Sequence, residues 1–127
     1  MWNMLLVALG GALGALARFG LSNLVQGLWA PRFPLATLGI NGVGSCAIGV
    51  LYVLIAERGV LHADWRNVAM VGFLGAFTTF STFSLETVTL LESGHGMEAF
   101  AYVVLSVLLC TGGAWGGIWL ARIVSGA

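Results

Sequence analysis

Four apolar segments, each long enough to cross a membrane as a helix, account for almost the whole chain. A span of about 30 Å of hydrocarbon takes about 20 helical residues. The segments cover residues 3–26, 35–56, 67–91 and 98–123, separated by three short breaks. The first break holds Trp29, Ala30, Pro31, Arg32, Phe33 and Pro34; its prolines stop a helix and its Trp suits a membrane interface. The second, 57–66, carries Glu57, Arg58, Asp64 and Arg66, and the third, Glu92 to Gly96, reads as a tight polar turn. The expected fold is all-α: one four-helix transmembrane domain over residues 1–127, with nothing left for a soluble domain.

Charge supports this reading. Only 8% of residues are charged and 59% are apolar, against about 25% charged in a soluble domain. The net charge is zero, so no nucleic-acid partner is expected. Cys46 and Cys110 sit deep in apolar segments without metal-ligand spacing, as small packing residues do. In the first segment Ala15-Leu16-Ala17 resembles a signal-peptide cleavage site, but no basic residue precedes the apolar run. An uncleaved span is expected.

With four spans, both termini share a side with the second break, giving Arg58, Arg66 and Arg122 to that side. The other side carries Arg32, and Arg18 lies close to it, about 22 Å along the helix from Asn3. Three arginines against two give almost no positive-inside bias. A chain that inserts both ways and pairs antiparallel is the preferred reading, over one orientation fixed by other signals.

Gly10, Gly14 and Arg18 fall at i, i+4 and i+8, so Arg18 shares a glycine face and points at protein. Gly112/Gly116 and Gly113/Gly117 repeat the spacing in the fourth span. Such stripes let helices approach closely in lipid. Four helices are too few to surround a hydrated path and pack their own interior, so any transport path is expected at a subunit interface.

Polar groups inside a span are costly and suggest function. In the second span Thr37, Asn41, Ser45 and Gly49 form one stripe. For Ser45 interhelical hydrogen bonding is the preferred role; for Asn41 it is donation of an amide N–H to an anion. In the third span, five of the seven residues from Thr78 to Ser84 carry hydroxyls, with Phe80 and Phe83 between them. Glycine and threonine are weak helix formers, so the third helix is expected to break mid-membrane, where freed backbone groups build ion sites. The alternative is an unbroken helix with back-bonded hydroxyls. Phe80 and Phe83 either pack or offer positive ring edges to an anion. Tyr102, Ser106 and Cys110 form a weaker row that packing explains equally well, and Glu86 stands either at a pore mouth or at the interface.

Three stretches stand out together: Gly10-Gly11-Ala12-Leu13-Gly14 with Arg18, Thr37-Leu38-Gly39-Ile40-Asn41, and GFLGAFTTFSTFSLE over residues 72–86. On them the chain resembles the Fluc/CrcB family of fluoride ion channels across essentially its whole length. The third is highly specific. The resemblance implies an antiparallel, dual-topology homodimer in a bacterial inner membrane, with two fluoride pores each built from both subunits. It implies that Asn41 is the pore amide and that Phe80 and Phe83 meet the ion. Thr37, Tyr102 and Ser106, with the Thr79 and Thr82 hydroxyls, would extend the track. It further implies that the carbonyls of Gly75 and Thr78 hold a structural sodium ion on the dimer axis, and that Arg18 and Glu86 serve structure or ion access. Leu109 and Cys110 stand where the family often has Gly and Ser, and Phe19 where an indole or phenol is frequent.

A channel is expected rather than an enzyme, since no nucleophile–base pair, phosphate loop or metal cluster is present in the sequence. A small multidrug-type exporter is the alternative. It would need a membrane-embedded acid in the first span, which offers Arg18 instead. An accessory membrane protein would account for the glycine stripes but not for the hydroxyl–Phe run.

Overall fold

The computed structural model describes residues 1–28 and 32–126, so Trp29, Ala30 and Pro31 of the first break lie outside the described residues. Four helices long and apolar enough to cross a membrane run over Trp2–Leu28, Leu35–Glu57, Arg66–Glu92 and Gly96–Val124. Helix α1 is Trp2–Leu28 and α2 is Leu35–Tyr52, which continues as a π-helical turn, Val53–Glu57. The third span begins π-helical over Arg66–Leu74 and passes into α3, Gly75–Phe77, and α4, Phe80–Glu92; α5, Gly96–Val124, is the fourth span. Apolar periodicity gave no hint of the π-helical stretches, because widening the spiral leaves composition unchanged.

The spans associate in two close pairs, first with third and second with fourth. Glycines set both contacts. A Cβ at Gly10 would overlap the Val68 carbonyl, and one at Gly14 would overlap that of Phe73. In the other pair a Cβ at Gly117 would overlap the Cys46 carbonyl and one at Gly49 that of Ala114. Backbone thus meets backbone, as membrane helices do when dispersion and not water exclusion drives their association. The two glycine pairs of the fourth span divide: Gly113 and Gly117 face the second span, while Gly112 and Gly116 face open space.

The third break is a Schellman turn. His95 N–H donates to the Leu90 carbonyl at 2.8 Å and Gly94 N–H to that of Leu91 at 3.2 Å, with Gly94 at φ 82°. Charges pair at the span ends: Arg32 with Glu98, and Arg122 with Glu57 through bonds of 2.9 and 2.6 Å. Trp2 donates to Asp64 at 3.2 Å and Asn67 to Asn3 at 3.1 Å, which places the chain's start beside the second break.

Inside, two small apolar clusters flank the middle of the third span. Ile40, Leu74 and Phe77 lie before it; Leu38, Leu90, Ala99 and Tyr102 lie after it. Outside, Leu5, Leu9, Leu13 and Leu16 are exposed along α1, as suits a lipid-facing stripe.

Glycine contacts of this closeness predict an asymmetric response to alanine. At Gly14 a Cβ would lie 2.9 Å from the Phe73 carbonyl carbon, so Gly14→Ala should cost about 1–3 kcal/mol through forced backbone shifts. At Gly20 nothing lies within 4 Å, and Gly20→Ala should gain up to about 1 kcal/mol of helix propensity. Thermal melts in detergent should show the first variant falling below the parent and the second not. Equal melting of the two would contradict the close approach.

Candidate functional site

Helical backbone stops after Phe77 and resumes at Phe80. Thr78 (φ −86°, ψ 155°) and Thr79 (φ −151°, ψ 120°) are extended between α3 and α4, near the middle of the third span. Two residues out of helix leave backbone groups without their usual partners, and neighbouring spans supply substitutes. Asn41 of α2 accepts from Thr79 N–H at 2.8 Å and donates to the Thr79 carbonyl at 3.0 Å. Arg18 of α1 donates through Nε to the Ala76 carbonyl at 3.1 Å, placing a cation at the C-terminal end of a half-helix, where its charge is favourable. The Leu74 carbonyl accepts from both Thr78 N–H (3.1 Å) and Thr78 Oγ1 (2.9 Å). Thr79 caps α4, its Oγ1 accepting from Thr82 N–H at 3.2 Å. Gly44 makes room, since a Cβ there would overlap the Thr78 methyl.

Beside this interruption lies a cavity of about 310 Å³ lined by Asn41, Ser45, Thr78, Thr79, Phe80, Phe83, Ser106, Val107, Cys110 and Thr111. No charged side chain is among them. Phe80 is 77% exposed, although it sits at mid-span beside polar groups. Its ring lies 5.3 Å from that of Phe83, tilted at 49°. The hydroxyls of Ser45 and Ser106 line the cavity without a hydrogen-bond partner among the described residues. Among the described residues Ser45 does not make the interhelical bond expected of it. Asn41, expected to keep its NH2 for an anion, gives one of its two N–H groups to Thr79.

Thr37, Tyr102 and Thr82 do not line this cavity. Thr37 is buried, and Thr82 accepts from the Thr79 hydroxyl at 3.2 Å. Tyr102 is fully buried behind Phe83, with ring centroids 5.1 Å apart, and donates to Glu86 at 2.8 Å. Glu86 in turn lines a second cavity of about 440 Å³ with Gln26, Arg32 and Ser93. Val107 and Thr111 were missed from sequence. Thr111 lies one residue off the 102/106/110 row, and no signal marked it.

The family model described as CrcB-like protein, Camphor Resistance (CrcB), matches residues 5–118. The chain belongs to the CrcB family. A fluoride-specific ion channel FluC of Saccharophagus degradans is 55% identical over 108 residues, covering 83% of this chain and 78% of that protein. One of the same name from Coxiella burnetii is 46% identical over 122 residues, covering 94% and 98%. Another, from Hahella chejuensis, is 41% identical and covers 96% of both chains. With its four spans, this CrcB-family chain is a multi-pass membrane protein.

Proposed function

We propose that the chain is a fluoride-selective channel that lets the ion leave the cell passively. In this reading it acts as an antiparallel homodimer in the bacterial inner membrane, with two pores each lined by both subunits. The observation that carries it is the uncharged cavity at the helix interruption, where one amide, several hydroxyls and two phenyl rings converge. Fluoride is small and strongly hydrated, so a path must replace its water with several donors and still release it. Neutral donors and positive ring edges meet both demands, whereas an ammonium or guanidinium would trap the ion. The name carried by relatives that this chain matches over 78% and 98% of their length agrees.

The exposure of Phe80 at membrane depth supports a second subunit there, since the cavity is otherwise left facing lipid. Asn41, Phe80, Phe83, Thr79 and Ser106 are assigned to the pore itself. Thr37, Tyr102 and Thr82 sit behind it, with Glu86 toward ion access.

A structural sodium ion fits the same interruption. The carbonyls of Leu74, Ala76 and Thr79 have side-chain or turn partners, while no side-chain or turn donor among the described residues reaches those of Gly75 and Thr78. Such hard oxygens suit a small cation. A multidrug-type exporter is disfavoured because the first span holds no acid to couple protons, and its Arg18 is committed to the Ala76 carbonyl.

Three outcomes test the proposal. Liposomes holding the purified protein should release fluoride to an electrode without a pH gradient and retain chloride; comparable loss of both halides would refute selectivity. A C-terminal reporter should register on both sides of the membrane, and a one-sided signal would end the antiparallel assignment. Phe80→Ile and Phe83→Ile remove the ring quadrupole for a stability cost of about 1–2 kcal/mol, so they should give dimer at normal yield with severely reduced flux. Phe73→Ile is the control, because Phe73 is partly buried and stacks on the core residue Phe77 at 5.7 Å, and it should conduct. Parent-like flux in all three would return Phe80 and Phe83 to packing.

A further inference from the structure

Among the described residues the Asn41 side chain is bonded to one residue only, and to both backbone groups of that residue. Its Oδ1 takes the Thr79 N–H at 2.8 Å and its Nδ2 gives to the Thr79 carbonyl at 3.0 Å. The amide's orientation is fixed by chemistry, since flipping it would set donor against donor and acceptor against acceptor. In effect the side chain does for Thr79 what a neighbouring β-strand would do for an extended residue. Thr79 is also the N-cap of α4, so its conformation sets the first turn of that helix, which carries Phe80 and Phe83.

We propose that Asn41 is a positioning residue: its amide clasps the Thr79 backbone, keeps the third span open at this point, and thereby aims the Phe80 and Phe83 rings along the cavity. The inference rests on the channel reading for its consequence, but the clasp itself is independent of what passes. It differs from a purely direct role for Asn41, in which the amide serves the anion and Thr79 needs nothing from it. It also differs from ordinary interhelical bonding, which would stabilise the bundle without governing the interruption.

The charged and titratable side chains on the spans packed around the clasp include Arg18 of α1 on the Ala76 carbonyl, Glu86 of α4 bonded to Tyr102 of α5, and the thiols of Cys46 and Cys110. None of them bonds to Asn41 or Thr79 among the described residues.

Hydrogen exchange on the intact protein in fluoride-free buffer tests the clasp directly. In the parent the Thr79 amide should be protected. In Asn41→Ala it should exchange about fivefold faster or more, the shift expected from one lost hydrogen bond, with amides from Leu85 to Leu90 unchanged. Parent-like protection of Thr79 in that variant overturns the proposal.

Asn41→Asp supplies a second test should the alanine variant fail to fold. A protonated acid restores the whole clasp, O–H donating to the carbonyl and C=O accepting from the N–H, but it lacks the second N–H of the amide. Fluoride flux should therefore be absent at alkaline pH and return on acidification, measured above protein-free vesicles because HF crosses lipid unaided. A Thr79 amide that regains protection while flux stays silent would overturn positioning in favour of direct donation. A parent that conducts no fluoride would refute the channel reading and leave the exchange result standing.

Discussion

A backbone N–H or C=O left without a partner at membrane depth costs several kcal/mol, because no water is present to take it. The remainder of the molecule is arranged around that constraint. Interrupting the third span at Thr78 and Thr79 releases amides and carbonyls, and two other spans reach in to meet them: Asn41 from the second and Arg18 from the first. Neither side chain can do so unless its helix is held close, so the glycine contacts at Gly10, Gly14 and Gly44 are conditions for the interruption as much as devices of packing. The local bonds of Thr78 to Leu74 and of Thr79 to Thr82 add to these.

Much of the fold was legible in sequence, because lipid allows few solutions. Four apolar runs of membrane length become four helices, and an i, i+4, i+8 row holding Gly10, Gly14 and Arg18 must lie on one helix face. That Arg18 points at protein follows. Its acceptor, the Ala76 carbonyl, does not, since nothing in periodicity says which helix faces which. The fourth span shows the same limit. Gly112/Gly116 and Gly113/Gly117 have identical spacing, yet one pair faces open space and the other touches the second span. The π-helical stretches, Val53–Glu57 and Arg66–Leu74, were invisible because a wider spiral leaves no residue signature.

The site was legible as a region and less so residue by residue. Clustered hydroxyls and glycines marked the third span because these residues tolerate leaving a helix. Asn41 and Ser45 in the second span show how far spacing alone can go. The amide thought free is half committed to backbone, and the hydroxyl thought committed lines the cavity. Both share one stripe, and only the position of Thr79 separates them. The row Tyr102, Ser106, Cys110 splits for a steric reason, as Phe83 stands in front of Tyr102 and leaves the two smaller residues to line the space.

Charge placement bears on why such a site would conduct and not merely bind. Arg32, Glu57, Glu98 and Arg122 are paired with one another at the span ends, and Arg18 is committed to a carbonyl. The cavity at mid-span therefore meets its occupant with neutral dipoles alone. An anion there gains several modest interactions and no full opposite charge, which is the energetic condition for leaving as readily as arriving. The same neutrality means that one chain offers too little to replace a complete hydration shell. In the proposed dimer, donors and ring edges from a second chain would make up the difference on the side where Phe80 now stands exposed.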